Sequence, residues 1–276
     1  MITLTRRLPA ALLALLVSGC AGATGQTTST SPDPAPSRAA TASPDASNLA
    51  ATSSATPSPS ASATPSKLSA TAKVDCRKLK CIALTYDDGP SEYTPQLLKS
   101  FTSRKATATL FMLGNAATAH PQIVKQAHAQ GFEVANHTYD HKALSDLGQA
   151  QVSDEVKRTN EVLQRLTGER PRLMRPPYAA RNSRTDATVG KQGLSVIVWN
   201  NSPEDWVAGH DTAATISRLT LERSSRNSII LMHDIHPWTV QAAPAIIDGL
   251  HKQGYTLVTV SQLLGSTAPG EVYPQS

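Results

Sequence analysis

Two aspartates side by side, Asp87 and Asp88, end the apolar run "CIALTY" and stand directly before a Gly-Pro break. Adjacent like charges at the end of a buried segment repel, so they form a solvated turn or flank a positive group. Other polar clusters follow other apolar runs: His137 and His141 after "FEVAN", Arg175 and Tyr178 in "RPPY" at the end of "RLMR", Asp205 and Trp206 after "SVIVWN", His233 and Asp234 after "SIILM". One aspartate and two histidines offer an oxygen and two nitrogens, a set that suits Zn²⁺ or a similar ion and leaves positions open for water. Hydrolysis needs such an open site. An ion there would give the two aspartates separate tasks, one binding it and the other taking a proton beside it. Taken singly, the pieces have blander readings: an Asp pair before Gly-Pro is usually a turn, and two histidines four apart are usually surface residues.

The elements that must position these residues are legible in the pattern. Seven apolar runs of four to eight residues, rich in β-branched residues and Leu, begin near residue 81 and end with "TLVTV". Most are separated by segments of helical period, such as "TPQLLKSF", "PQIVKQAHAQG", "VSDEVKRTNEVLQRLTG", "TAATISRLTLERS" and "APAIIDGLHKQG", several of which close on Gly. Continuous apolar strands alternating with helices predict an α/β fold with a parallel sheet covered by helices. About seven strands over so short a span favour a small barrel, with an open sheet as the alternative. In either, the carboxyl ends of the strands share one face, where the five clusters would converge.

The 276 residues carry a formal charge of +5. Two of those charges, Arg6 and Arg7, lie in a leader-like start, and the excess is too mild to argue for nucleic acid. The apolar run Leu8 to Val17 is too short to span a bilayer, which takes about 20 residues. Its basic start and small-residue end have the layout of an export signal over residues 1–19. "LVSGC" resembles a bacterial lipobox, which implies cleavage before Cys20, lipidation of its sulfur and an anchor on the outer face of the membrane. An ordinary signal peptide and a secreted protein are the alternative. Residues 20–73 are mostly Ala, Ser, Thr and Pro with no aromatic residue, and read as a disordered linker. In an exported chain, Cys76 and Cys81 are expected to form a disulfide; two free thiols are the alternative. The domain of interest then spans residues 74–266, with a tail over residues 267–276.

The motifs "TYDDGP", "HTYDH", "RPPY", "DW" and "LMH", in that order, resemble those of the polysaccharide deacetylases of carbohydrate esterase family 4, the NodB-homology domain. The resemblance spans roughly residues 81–264 and implies a distorted (β/α) barrel of about seven parallel strands that hydrolyses acetyl groups from amino sugars. It assigns the metal, Zn²⁺ with Co²⁺ or Ni²⁺ as alternatives, to Asp88, His137 and His141. Asp87 would be the general base, paired with Arg175, and His233 the general acid, partnered by Asp205. The Tyr178 backbone N–H would stabilise the oxyanion, while Trp206 and Leu231 would wall the acetyl pocket. Two positions depart from the family pattern: Ser202 stands where an aspartate is common, and Ala179 where Gly usually follows the tyrosine. They bear on loop shape and substrate fit.

Of the remaining candidates, His120, His128 and His251 lie in helical patterns and read as surface residues, and His210 has no clear place. His236, Trp238 and Tyr139 are candidates for lining a sugar groove, Thr138 for holding the ligand loop by a hydrogen bond, and Asp140 for a solvated loop. The expected substrate is N-acetylglucosamine in peptidoglycan, reached by a monomer on its tether. Chitin oligomers or acetylated xylan are the enzymatic alternatives, and a non-catalytic wall-binding lipoprotein is the alternative of another class.

Overall fold

The computed structural model describes residues 74–274, so the leader, Cys20 and the linker lie outside the described residues. All seven expected strands are present: β1 (Cys81–Asp87), β2 (Thr109–Met112), β3 (Glu133–Asn136), β4 (Leu173–Met174), β5 (Ser195–Ile197), β6 (Ile229–His233) and β7 (Thr256–Leu257). An eighth, β8 (Val272–Tyr273), lies in the segment read as a tail and pairs with β5. Every pairing is parallel, in the order β6-β1-β2-β3-β4-β5-β8, with β7 on the first residues of β1. Beyond β5 the chain crosses to β6: Asn201 bridges Ile230, and the Leu231 N–H donates to the Asn201 carbonyl at 3.0 Å. That contact curls the sheet into a distorted barrel rather than an open sheet.

The strands read as unbroken apolar runs because both faces are buried. In β1, Ile82, Leu84 and Tyr86 face outward into a core shared with Leu97 and Phe101 of α1 (Thr94–Thr102) and with Ile246, Ile247 and Leu250 of α7 (Pro237–Lys252). Ala83 faces inward and meets Phe111, Ala135, Leu173, Ile197 and Ile229, one residue from each of the next five strands in the ring. Val260 of α8 (Val260–Leu264) plugs the lower end of this small interior. The plug is fixed by polar groups: the Glu133 carboxylate accepts from the Thr109 and Ser261 hydroxyls and the Ser261 N–H, and Thr109 accepts from the Val260 N–H. Those bonds satisfy helix donors that have no partner within the helix.

The expected helical segments appear as α1, α3 (Pro121–Ala129), α4 (Gln149–Thr167), α6 (Ala213–Arg223) and α7. The longest, α4, stops at Gly168 in the left-handed conformation, φ +79°. Besides α8, two helices that the apolar pattern did not announce, α2 (Gly114–Ala119) and α5 (Ser183–Lys191), are short and poor in large apolar residues. A signal for α5 was available: Asn182 caps it by accepting from the Arg184 and Thr185 N–H groups. Among the described residues, no helix is long and apolar enough to cross a membrane.

Cys76 and Cys81 form the expected disulfide, which fastens the entry segment to the start of β1. Chain-entropy arguments give so short a loop about 2 kcal/mol of stabilisation. Cys76→Ala is therefore expected to lower unfolding stability by about that amount in urea denaturation, without change in the site.

Candidate active site

Asp87 is the last residue of β1 and points into the barrel mouth, 2% exposed. Its strand partner on β6 is His233, so two of the reactive residues lie side by side in the sheet. Arg175, at the end of β4 and fully buried, reaches across the interior with its guanidinium over the Phe111 ring. Its Nη1 donates to Asp87 Oδ1 at 2.8 Å and to the Thr85 hydroxyl at 2.7 Å. Asp88 turns out of the strand with φ +72°, and Gly89 follows. A Cβ at Gly89 would lie 2.3 Å from Asp234 Oδ1, so only glycine fits there. Asp234 ties this turn to the end of β6, accepting from the Thr94 hydroxyl and, through its carbonyl, from the Ser91 hydroxyl. Burial pushes the Asp234 carboxyl up to about 7, against the pull of the Thr94 hydrogen bond.

Asp88, His137 and His141 come together, with one donor atom from each lying within 4.8 Å of the others. Asp88 Oδ1 is 3.2 Å from His137 Nε2 and 3.1 Å from His141 Nε2. Neither approach is aligned as a hydrogen bond, and this buried oxygen has no hydrogen-bond partner. Three donors converging on one point with an orphaned oxygen among them fit a divalent cation. The far nitrogens are held: His137 Nδ1 lies 2.7 Å from the Arg175 carbonyl, and His141 Nδ1 lies 3.0 Å from the Tyr178 hydroxyl. A carbonyl at His137 Nδ1 requires its proton there, which leaves Nε2 free to ligate. Burial alone would raise the Asp88 carboxyl; in the cluster without a metal ion, protons on the two imidazoles outweigh it and hold it below the usual carboxylate range.

On the opposite wall, Asp205 Oδ1 lies 2.8 Å from His233 Nδ1. Its other oxygen accepts from the His233 N–H at 2.8 Å and the Thr239 hydroxyl at 2.7 Å, and its carbonyl accepts from Trp238 Nε1 at 3.0 Å. Burial works against a charged His233 ring, yet the Asp205 carboxylate outweighs it and lifts the pKa to about 9. His233 is thus protonated near neutral pH. His236 stacks on Trp238, with centroids 4.8 Å apart, beside His233.

Leu231 shares the inward face of β6 two residues before His233, and Trp206 packs edge-on against the His233 ring while half exposed. Tyr178 is 71% exposed, next to His141. Tyr178 and Ala179 are both left-handed, φ +58° and +51°, which explains why glycine suits the second position. Ser202, at the other departure, holds the Asp205 loop: its hydroxyl donates to the Leu231 carbonyl at 3.0 Å and accepts from the Glu204 N–H at 2.9 Å.

The remaining candidates divide. Tyr139 packs on the helical core under the Arg158 guanidinium instead of lining the groove. The Thr138 hydroxyl finds no partner among the described residues; its backbone holds the loop instead. Asp140 is exposed, near Lys142, and His120 and His251 are exposed, as expected, while His128 is half-buried. His210 secures the 203–210 loop through the Pro203 and Glu204 carbonyls. The sequence did not single out Thr85 or Thr239, because a threonine contributing one hydroxyl to a buried carboxylate or guanidinium leaves no pattern. A cavity of about 1680 Å³ opens at the opposite, amino-terminal ends of the strands, lined by residues such as Arg77, Arg172 and Arg226. None of the convergent groups lines it.

Two predictions follow from this geometry. Ala179→Gly is expected to relieve the left-handed strain of about 1 kcal/mol, partly offset by unfolded-chain entropy, and so to raise the denaturation midpoint slightly. A lower midpoint would contradict it. Because the folded His233 pKa is raised from 6.5 to about 9, its pairing with Asp205 contributes full stability below about pH 6.5. The contribution is lost as pH rises through about 9, so the stability gap between wild type and Asp205→Asn should narrow across that window. Urea unfolding at several pH values checks it.

A family model described as polysaccharide deacetylase matches residues 75–197. The peptidoglycan-N-acetylglucosamine deacetylase PgdA of Listeria monocytogenes is 33% identical over 202 residues, 73% of this chain and 42% of that protein. A Bacillus cereus peptidoglycan-N-acetylglucosamine deacetylase is 34% identical over 191 residues, 67% of this chain and 88% of its own length. The solved structure of peptidoglycan deacetylase PdaC from Bacillus subtilis is 36% identical with a TM-score of 0.65, covering 70% of this chain and 93% of that one. The chain spans about two fifths of the length of PgdA. With the ordered motifs, the curled parallel barrel and these likenesses together, the chain belongs to the polysaccharide deacetylase family.

Proposed function

We propose that this protein hydrolyses the N-acetyl group of N-acetylglucosamine residues in peptidoglycan, releasing acetate, with a divalent ion held by Asp88, His137 and His141. The observation that carries this reading is the juxtaposition of an Arg-paired carboxylate and an Asp-paired histidine on adjacent strands, beside a convergent three-donor cluster. When bound, the ion would supply Lewis-acid polarisation of the acetyl carbonyl and a lowered pKa for a nearby water. Zn²⁺ suits the donor set best.

The chain's own groups account for the proton movements. Asp87, oriented by Arg175, takes a proton from the water whose oxygen attacks the acetyl carbon. The Tyr178 N–H stabilises the oxygen that gains charge, an effect worth roughly 3 kcal/mol in other hydrolases. As the carbon–nitrogen bond breaks, His233 gives its proton to the leaving nitrogen, and Asp205 stabilises the imidazolium until then. Acetate and a free amine result.

Two exposed aromatic side chains flank the site, Tyr178 against His141 and Trp206 against His233, which suits the sugar faces of a polymer. The leader-like run before "LVSGC" and the Ala/Ser/Thr/Pro stretch after it support an exported protein, lipid-anchored at Cys20 and working in the wall as a monomer.

The test is to incubate the purified protein with peptidoglycan, with and without a chelator, and to read muropeptides by mass spectrometry for acetyl loss. Chelator-sensitive loss from glucosamine is expected, falling at least roughly 100-fold in Asp87→Asn, the scale of general-base catalysis. Loss only from chitin oligomers or acetylated xylan would overturn the substrate, and no loss from any of them would overturn the enzymatic reading.

A further inference from the structure

The segment from His137 to His141 has an improbable backbone. Thr138 and His141 are both left-handed, φ +71° and +58°, and neither is glycine, Asn or Asp. For a β-branched residue such as Thr138 this is a sterically costly conformation, and such strain persists only where the surroundings over-determine it. The surroundings here are two helices. From one side, the α2 N–H groups of Gly114 and Asn115 donate to the carbonyls of Thr138 and Tyr139 at 2.9 and 3.2 Å. That approach requires glycine, because a Cβ at position 114 would lie 2.4 Å from the Tyr139 ring.

From the other side comes a buried carboxylate on α4. Glu155 is 2% exposed, and its Oε2 accepts from the N–H groups of both Tyr139 and Asp140 at 2.9 Å. Its Oε1 accepts from Lys142 Nζ at 2.8 Å, which supplies a countercharge just past the loop. Asn136 completes the frame: its Oδ1 accepts from the Thr138 N–H at 2.8 Å, while its Nδ2 donates to Asn160 and to the Val156 carbonyl on α4. A carboxylate oxygen that takes two backbone N–H groups between the two histidines sets the direction of both imidazoles at once.

We propose that Glu155 is a positioning residue whose carboxylate holds the 137–141 backbone in its left-handed course and thereby sets the affinity of the Asp88–His137–His141 cluster for its cation. The inference rests on reading those three residues as metal ligands. Glu155 touches neither cation nor substrate; it acts through the loop, as outer-shell partners of metal ligands do.

The experiment measures Zn²⁺ affinity by competition with a chromophoric chelator for wild type, Glu155→Met, Glu155→Gln and Val152→Ala, with unfolding midpoints recorded alongside. Glu155→Met fills the space without an acceptor and is expected to weaken Zn²⁺ binding roughly 10- to 100-fold. Glu155→Gln keeps an oxygen for the two N–H groups and should recover much of that loss. Val152→Ala removes packing from the same helix and should lower the midpoint while leaving Zn²⁺ affinity at the wild-type value. Wild-type affinity in Glu155→Met overturns the proposal. So does an equal loss in Glu155→Gln or Val152→Ala, which would mean general loosening. A measurement on the unsubstituted protein stands even if Glu155→Met does not fold: the Tyr139 and Asp140 amides should exchange slowly without metal, and exchange at an unstructured rate sinks the idea. A wild-type protein that does not bind Zn²⁺ would instead overturn the metal reading itself, and this inference with it.

Discussion

The structure depends on one buried cation. Arg175 sits fully inside the barrel, where an unpaired guanidinium would be strongly destabilising. It is paired by Asp87 and hydrogen-bonded by Thr85 on β1, its N–H donates to the Asn136 carbonyl at 2.9 Å on β3, and its Nε approaches the Ile197 carbonyl on β5 at 3.4 Å. Its own carbonyl fixes the proton of His137. A single side chain and its peptide group therefore tie four strands, the proposed base and one proposed ligand. The cost of burying the charge is offset only when all of those partners are in place, which makes the barrel mouth a cooperative unit.

Electrostatics divides labour among the carboxylates around that mouth. Asp88 is held low by two imidazoles, while Asp234, a short distance behind it with only hydroxyl and backbone partners, is held high by burial. Asp205 gives both oxygens to the β6–α7 junction and keeps His233 charged. Two acids of one intrinsic type, Asp88 and Asp234, are driven in opposite directions by what surrounds them.

Much of this was legible before the fold was known. The seven strands followed from apolar runs, and Asp87, Asp88, His137, His141, Arg175, Asp205 and His233 stood out because reactive types followed each run. The structure brings all seven to one end of the barrel. What escaped notice has a common physical character. The α2 and α5 helices carry little apolar periodicity, β8 is two residues long with Val272 and Tyr273 only partly buried against the core, and Glu155 sits in a helix that reads as an ordinary amphipathic one. Residues that satisfy backbone polar groups leave no spacing signature, since their partners are set by tertiary approach. Tyr139 misled for the converse reason: an aromatic residue between two ligands suggests a groove, yet a tight approach to Gly114 turns its ring to the core.

The pairing of Asp87 with His233 in the β1–β6 ladder has a consequence for how such a protein can change. Neighbouring strands stand about 4.8 Å apart wherever they are hydrogen-bonded, so the spacing of the proposed proton acceptor and proposed proton donor is a property of the sheet. The groups that would meet the sugar, Tyr178 and Trp206, are carried by the loops after β4 and β5. Insertions or substitutions in those loops can reshape what the groove accepts without altering the span across which protons move. Taste and reactivity are thus mechanically uncoupled, and one can drift over generations while the other stays fixed.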